Sequence, residues 1–176
     1  MEDERIIELV RRSLKSLFKD DWFLLWHDVS ERSVVHKFAE HLQRRFQQYG
    51  NLVDCEYNND NAWGKKINSG KVRKHYSGRF FTPDIIIHRR TLEGFQTNEH
   101  NICIIEMKLS TNVDEKGRIK DDDNLSFATL NEEDTLIYQL GIYIELWAGD
   151  DAQLANNVLR KELKEFTVYK NGSQVL

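Results

Sequence analysis

Two short apolar runs joined by a polar turn constrain the fold of this chain more than any other feature. The first lies in FFTPDIIIHRR (residues 80–90), the second is NICIIEMKL (101–109), and the residues between them, TLEGFQTNEH, are mostly polar. Runs of this length bounded by turn residues are typical of neighbouring β-strands with both faces covered. The sequence therefore predicts two adjacent strands inside an α/β domain.

Ionisable residues interrupt both runs. Asp84 follows the only proline of the chain at the start of the first strand, and Glu106 and Lys108 lie two residues apart near the end of the second. Because side chains alternate along a strand, Glu106 and Lys108 are expected on the same face. If the strands pair, the three groups converge at one end of one sheet face. An unpaired buried charge is costly, so this cluster predicts a metal site or another functional site.

The remaining elements follow from hydrophobic periodicity and turn residues. In the first half of the chain they are a helix over 2–18, a segment over 22–26 whose conformation the sequence does not determine, a helix from the N-cap Ser30 to about Gln48, a strand over 52–58 and the central strand pair. In the second half they are an exposed loop over 110–124, a short helix over 122–130, a strand over 136–147, a helix from Asp150 to about Phe166 and a candidate edge strand over 167–170. We expect one domain over 1–176 with an N-terminal helical extension over about 1–29. Its fold class is α/β, a mixed four-stranded sheet flanked by helices in the order α-β-β-β-α-β.

Composition restricts the classes of function. The 176 residues are 40% hydrophobic and 31% charged, as in an ordinary globular domain, and the net charge of −4 argues against a generally basic nucleic-acid binder. The acidic, helical start is unlike a secretory signal, and no apolar run approaches membrane-spanning length. The two cysteines lack metal-binding spacing and are expected to be free thiols. We therefore expect a cytoplasmic protein that makes no membrane contact.

One segment is basic although the whole chain is acidic. From residue 65 to 90 there are eight Lys or Arg against one acid, Asp84. A solvated loop would explain this charge, but its position beside the carboxylates favours contact with phosphates. The candidate nucleic-acid contacts are Lys65, Lys66, Lys71, Arg73, Lys74 and Arg79.

Two further carboxylates precede the cluster in the chain. At 100° per residue, Glu31 falls within about 60° of Val35 and Phe38 on the apolar face of its helix. It is either a first-turn acid stabilised by the helix dipole or a carboxylate brought over the sheet. Glu40 falls on the opposite, polar side. Glu56 lies in the alternating stretch LVDCEYN, where it is either exposed on an edge strand or close to the acidic cluster.

The cluster has the chemistry of a magnesium site. Asp84 and Glu106 offer two carboxylates, and the backbone carbonyl of Met107 offers a third oxygen. Mg²⁺ prefers octahedral oxygen ligands at about 2.0–2.1 Å, and Mn²⁺ is the expected substitute. A metal lowers the pKa of a water, which can then attack phosphorus in line. Lys108 is placed to hold that water or to offset charge in the transition state, and Glu31 is the fourth candidate catalytic residue.

This arrangement resembles the PD-(D/E)xK nuclease superfamily, whose members share the fold of type II restriction endonucleases. The matching residues are Pro83-Asp84 and Glu106-Met107-Lys108, with 22 positions from Asp84 to Glu106. The span 30–108 looks like the α-β-β-β core of that superfamily, and stand-alone bacterial nuclease-like proteins are similar to it. The resemblance implies a restriction-endonuclease-like core, Asp84 and Glu106 as metal ligands, Lys108 as the catalytic lysine and Glu31 as the helix carboxylate. Where related proteins often have a lysine in the helix after the motif strand, this chain has Asn124.

The sequence thus predicts a Mg²⁺-dependent endonuclease, with DNA as the expected substrate. Because one site cuts one strand, cleavage of a duplex calls for a homodimer, a partner protein or two sequential nicks. The alternative is a catalytically silent or partner-activated subunit of a defence or repair complex that binds nucleic acid or protein. The intact Asp84, Glu106 and Lys108 favour the enzyme, whereas the small size and acidic charge favour the subunit. The aromatic residues Trp22, Trp26 and Trp63 are candidates for a partner surface or for the core.

Overall fold

The computed structural model describes residues 1–56, 82–90, 100–130, 137–150, 152 and 163–176. Three of the α-helices in these ranges come before the first strand. The α-helices are α1 (Asp3–Asp20), α2 (Trp22–Trp26), α3 (Glu31–Phe46) and α4 (Glu115–Ala128), and a 3₁₀ turn (Gln47–Tyr49) extends α3. The predicted helices over 2–18 and from residue 30 are confirmed as α1 and α3. None of the helices in these ranges is long and apolar enough to cross a membrane.

The strands of the described residues form one mixed sheet, and their order in the sheet is the same as their order in the sequence. The strands are β1 (Leu52–Cys55), β2 (Ile85–His88), β3 (Asn101–Leu109), β4 (Leu140–Leu146), β5 (Leu163–Lys170) and β6 (Ser173–Gln174). Only β3 and β4 are parallel, and the other neighbours are antiparallel. The predicted mixed sheet flanked by helices is confirmed, but it has six strands rather than four.

The main core lies between one sheet face and the helices α1 and α3. Leucine, isoleucine and valine side chains at helical spacing on α1, such as Ile6, Val10 and Leu14, are almost fully buried. They pack with Phe38 and Leu42 of α3 in the same cluster as the inward side chains of β3 and β4. Burial of each large apolar side chain contributes about 1.5–3 kcal/mol, so these two faces fix the position of α3 over the sheet.

A second, smaller core joins α4 to the opposite sheet face. Leu125, Phe127 and Ala128 pack there against Ile104 and Tyr143. The helix comes close to β4 at Gly141, where an added Cβ would lie 3.2 Å from Thr129 Cγ2 and 3.3 Å from Leu125 Cβ. The missing side chain at this position therefore sets how near α4 lies to the sheet.

The predicted exposed loop over 110–124 is wrong from Glu115 onward, because α4 begins there. Asp114 is its N-cap, and the side chain accepts a hydrogen bond of 2.6 Å from the Gly117 amide. The sequence does not indicate this helix, because its first half is rich in charged residues and its buried apolar side chains lie only in its second half. The predicted short helix over 122–130 corresponds to that half.

The predicted helix from Asp150 to Phe166 is wrong at its end, because β5 starts at Leu163. Residues 151 and 153–162 lie outside the described part of the chain. In β5, Phe166 and Val168 belong to the main core whereas Tyr169 belongs to the second core. This is the two-residue period of a strand covered on both faces, which outweighs the helical spacing of Leu163 and Phe166.

Boundaries of the other elements differ from the predictions by a few residues. The sequence does not determine the conformation of residues 22–26, and in the structure they form the short helix α2. The strand predicted to reach residue 58 stops at Cys55, and Glu56 has φ +46°, which is not strand geometry. The strand predicted over 136–147 is found over Leu140–Leu146. Ser30 precedes α3 as predicted, but its Oγ contacts Ser33 Oγ at 2.9 Å and does not cap the helix.

Candidate active site

Asp84 and Glu106 lie side by side across the β2–β3 pair. Ile85 pairs with Ile105, which places the preceding Asp84 beside Glu106. The Asp84 carboxyl group is close enough to Glu106 to raise the pKa of Glu106. Asp84 Oδ2 also accepts a hydrogen bond of 2.8 Å from the Met107 amide. The structure therefore brings together the two predicted metal ligands and the main chain of Met107.

Glu31 reaches the same end of β3 from the first turn of α3. Lys108 Nζ donates to Glu31 Oε1 at 3.1 Å, and the Leu109 amide donates to Glu31 Oε2 at 3.3 Å. Both side chains are mostly buried, with 22% of Lys108 and 23% of Glu31 exposed. Glu31 is thus a first-turn acid of α3 and also a carboxylate over the end of β3, so the two interpretations of this residue are compatible.

Asp121 is a fourth carboxylate at this place, and the sequence analysis missed it. It lies on α4, and its Oδ2 is 3.7 Å from Lys108 Nζ. The residue is 6% exposed, and within the described ranges that buried oxygen accepts no hydrogen bond. A helical pattern contained the signal, since Asp121 shares a stripe with Leu125 and Ala128, four and seven positions on.

The clustered acids perturb one another. Burial and the charges of Asp84 and Asp121 raise the pKa of Glu106 well above its usual value, and Lys108 only partly offsets this. Burial also raises the pKa of Asp121, to about 6. Burial lowers the pKa of Lys108, but the charges of Asp84, Asp121 and Glu31 outweigh it and the net shift is upward. These charges therefore favour the ammonium form of Lys108, whereas those of Asp84 and Asp121 disfavour the carboxylate form of Glu106 in the absence of a cation.

The donor set fits a hard divalent cation. Within the described ranges, no three His, Cys, Asp or Glu side chains are arranged to hold a metal. Mg²⁺, however, is commonly bound by one or two carboxylates together with waters and substrate phosphate. Asp84 and Glu106 supply two adjacent carboxylates, and the charge of a cation would relieve the repulsion that raises the pKa of Glu106.

Glu56 flanks the cluster without joining it. Its amide donates to the carbonyl of Asp84 at 3.0 Å, but its half-exposed carboxylate pairs with Arg32 Nε at 2.5 Å. Further along β1, the Asp54 carboxylate accepts hydrogen bonds from His88 at 2.7 Å and from Arg90 at 2.8 Å. The Asp54 side chain therefore connects β1 to the end of β2 and to Arg90 after it.

A cation and an aromatic ring form the wall of the site on the other side of Glu106. Tyr143 pairs in register with Glu106 from β4, and the Arg118 guanidinium lies 3.5 Å from the centre of its ring. Arg118 also forms ion pairs with Asp122, at 3.3 Å, and with Glu165. These contacts tie the first half of α4, the helix that carries Asp121, to β4 and β5.

The predicted nucleic-acid contacts Lys65, Lys66, Lys71, Arg73, Lys74 and Arg79 lie outside the described residues, as does Trp63. Comparison of the chain with models of protein families, with curated proteins and with solved structures finds no match. The case for a function of this protein therefore depends on the arrangement of Asp84, Glu106, Lys108 and their neighbours.

Proposed function

We propose that this protein is a metal-dependent phosphodiesterase that hydrolyses nucleic acid, with DNA as the expected substrate. The observation that carries the proposal is the arrangement at the end of β3. Asp84 and Glu106 lie beside each other on two paired strands, and Lys108, on the same strand as Glu106, is held by Glu31 from α3. Two adjacent carboxylates can hold the cation of metal-assisted phosphoryl hydrolysis, and a fixed ammonium can orient the water or offset developing negative charge.

The energetic cost of the cluster supports a functional origin. Glu106 and Asp121 are 4% and 6% exposed, and both have raised pKa values. Apolar residues of similar size would fill a core at no such cost, because buried charges contribute little to stability even when they are paired. Strongly perturbed ionisable groups that share a site are typical of catalytic and binding centres.

Each residue has a separate role in the proposed reaction. Asp84, Glu106 and the Met107 carbonyl would hold Mg²⁺ or Mn²⁺. A cation there supplies a water of lowered pKa and positive charge against the phosphate. Lys108 orients the attacking water or stabilises negative charge on the phosphoryl oxygens, and Glu31 holds the Lys108 ammonium in position.

The same proposal places the chain in the PD-(D/E)xK superfamily. Pro83-Asp84 and Glu106-Met107-Lys108 would be its motif, and α3 with β1, β2 and β3 would be its α-β-β-β core. A homodimer or a partner protein would supply the second cut of a duplex. The proposal also includes a cytoplasmic location.

A binding subunit is the second candidate, and one observation favours it. Asp84 and Lys108 both have partners within the protein, the Met107 amide and Glu31. A network that is satisfied in this way could be retained for structure alone, in a subunit that binds nucleic acid or a protein of a defence or repair complex.

A cleavage assay separates the two candidates. Wild type, Lys108→Ala and the control Lys116→Ala, an exposed lysine of α4, are incubated with supercoiled plasmid, linear duplex, single-stranded DNA and RNA in Mg²⁺, Mn²⁺ or EDTA. We expect metal-dependent cutting by wild type and by the control, and a loss of at least about 100-fold with Lys108→Ala. If wild type cuts none of these substrates but still gains thermal stability from Mn²⁺, the binding subunit is favoured. If Mn²⁺ also has no effect on its stability, the metal site is disproved.

A further inference from the structure

A cleft of about 460 Å³ lies at the carboxyl end of β3, and none of its lining residues is part of the proposed active site. Its lining comes from Trp26, His27 and Asp28 at the end of α2, from Thr111 after β3 and from residues 148–150 after β4. It therefore lies outside the carboxyl ends of the two parallel strands, which is the usual ligand position in sheets that contain parallel strands.

Both walls of the cleft are close in the chain to the start of α3 and the end of β3, where Glu31 and Lys108 lie. Asp28 precedes Glu31 by three residues, and Thr111 follows Leu109 by two. Because a chain spans at most about 3.6 Å per residue, their α-carbons lie within about 11 Å and 7 Å of those of Glu31 and Leu109. Thr111 Oγ1 donates to Asp28 Oδ1 at 2.8 Å and closes the two walls together.

The ionisable groups of the lining favour a nucleobase over a phosphate. Two of the three, Asp28 and Asp150, would repel an anion and can accept hydrogen bonds from the amino groups of a base, and the third, His27, can donate to a base or accept from it. Trp26 supplies an aromatic surface, and stacking on such a surface is available to every base. An edge-to-face contact with Trp22, at 5.4 Å between ring centres, helps to fix the orientation of Trp26.

A base can enter this cleft only if it is unpaired, since both faces of a base in a duplex are stacked on its neighbours. Taking the proposed phosphodiesterase activity as its basis, we infer that the cleft binds an unpaired nucleobase of the substrate strand next to the cut. The substrate class is then a nucleic acid with single-stranded character at the cleavage point, such as a free strand, a flap or a loop. Trp22, which is 46% exposed on α2, extends the aromatic surface outward from Trp26.

Equilibrium binding without cleavage tests this inference. Fluorescence anisotropy in EDTA would compare a labelled single strand of about 12 nucleotides, as DNA and as RNA, with its duplex and with an abasic strand of the same length. The variants are Trp26→Ala, Trp26→Phe and the control Phe23→Ala, an exposed aromatic residue of the same helix that does not line the cleft. Thermal melts would verify that each variant is folded.

We expect the single strand to bind at least about 10-fold more tightly than the duplex or the abasic strand. Trp26→Ala should weaken single-strand binding about 5- to 150-fold, Trp26→Phe should retain most of it, and Phe23→Ala should change it by less than about 2-fold. Equal affinity for the abasic strand, or equal losses with Trp26→Ala and Phe23→Ala, would overturn the inference. If wild type still cuts in Mg²⁺ in that case, the proposed function survives. Base-dependent binding through Trp26 without any cutting would instead support the cleft and contradict the catalytic proposal.

Discussion

Lys108 Nζ lies 3.1 Å from Glu31 Oε1, although 77 residues separate the two in the chain. The other oxygen of the same carboxylate accepts a hydrogen bond from the Leu109 amide. One side chain of α3 thus fixes both the ammonium and the main chain at the end of β3. Glu31 is therefore expected to act through Lys108, as a residue that positions it.

Glu31→Gln is expected to lower kcat by about 10- to 100-fold with little change in KM, since loss of a supporting charge commonly has this magnitude. The amide still offers an oxygen to the Leu109 amide but no longer attracts the ammonium. Glu40→Gln is the matched control, because Glu40 lies on the same helix and pairs with Lys37 at the surface. An unchanged kcat for Glu31→Gln would show that Lys108 does not need this partner.

Glu106→Gln is expected to stabilise the metal-free protein at neutral pH. The pKa of Glu106 is raised in the folded state by burial and by Asp84 and Asp121, so its stabilising contribution is complete below the unfolded pKa and is lost as pH rises through the folded pKa. In EDTA, Tm of the variant should exceed that of wild type at pH 7–8, by about 2–4 °C for each kcal/mol gained, and the difference should shrink toward pH 4. A variant that is less stable than wild type at pH 8 would contradict the assigned burial of charge.

Asp54→Asn is expected to have the opposite dependence on pH. Burial alone would raise the pKa of Asp54, but the hydrogen bonds from His88 and Arg90 lower it below its usual value. Its contribution is therefore present above the unfolded pKa and is lost as pH falls through the lower folded pKa. Urea titrations should show the variant less stable by about 1 kcal/mol at pH 7, with the difference shrinking as pH falls below the ordinary aspartate pKa of 3.8. A constant difference across this range would mean that ionisation of Asp54 is irrelevant.

Arg118→Gln is expected to destabilise the fold by about 1–3 kcal/mol, because Asp122 and Glu165 lose their shared partner and Tyr143 loses the cation over its ring. Lys116→Ala on the same helix makes no described ion pair and should stay within about 0.5 kcal/mol of wild type. Thermal or urea unfolding would measure both. Equal stability of the two variants would show that α4 is held by its apolar contacts alone.

The central strands and the first helices could be predicted because one simple period dominates each of them. NICIIEMKL is apolar on both faces except at the ionisable pair, and the observed strand has the predicted bounds 101–109. The α1 stripe of Ile6, Val10 and Leu14 is likewise unbroken and is buried as expected. The proximity of Asp84, Glu106 and Lys108 could therefore be predicted from the sequence, because it follows from strand pairing.

Asp121 and β5 could not be predicted in the same way, because in each case tertiary contacts outweigh the local signal. The first half of α4 is so charged that it has no apolar face of its own, and Arg118 is ordered through partners on β4 and β5. In β5, Leu163 and Phe166 are spaced as on a helix, but a long ladder with β4 makes the segment extended. The cleft beside Trp26 is assembled from three separate stretches and has no sequence pattern at all.

A substitution at Gly141 is expected to affect the candidate site without altering an ionisable residue. Any side chain there would push on Leu125 and Thr129, and Leu125 lies one helical turn after Asp121. A single added methyl group would thus require Leu125 and Thr129 to give by a few tenths of an ångström, on the helix that carries Asp121. Alanine at position 141 is therefore expected to change the distance between Asp121 and Lys108, although it alters no ionisable residue.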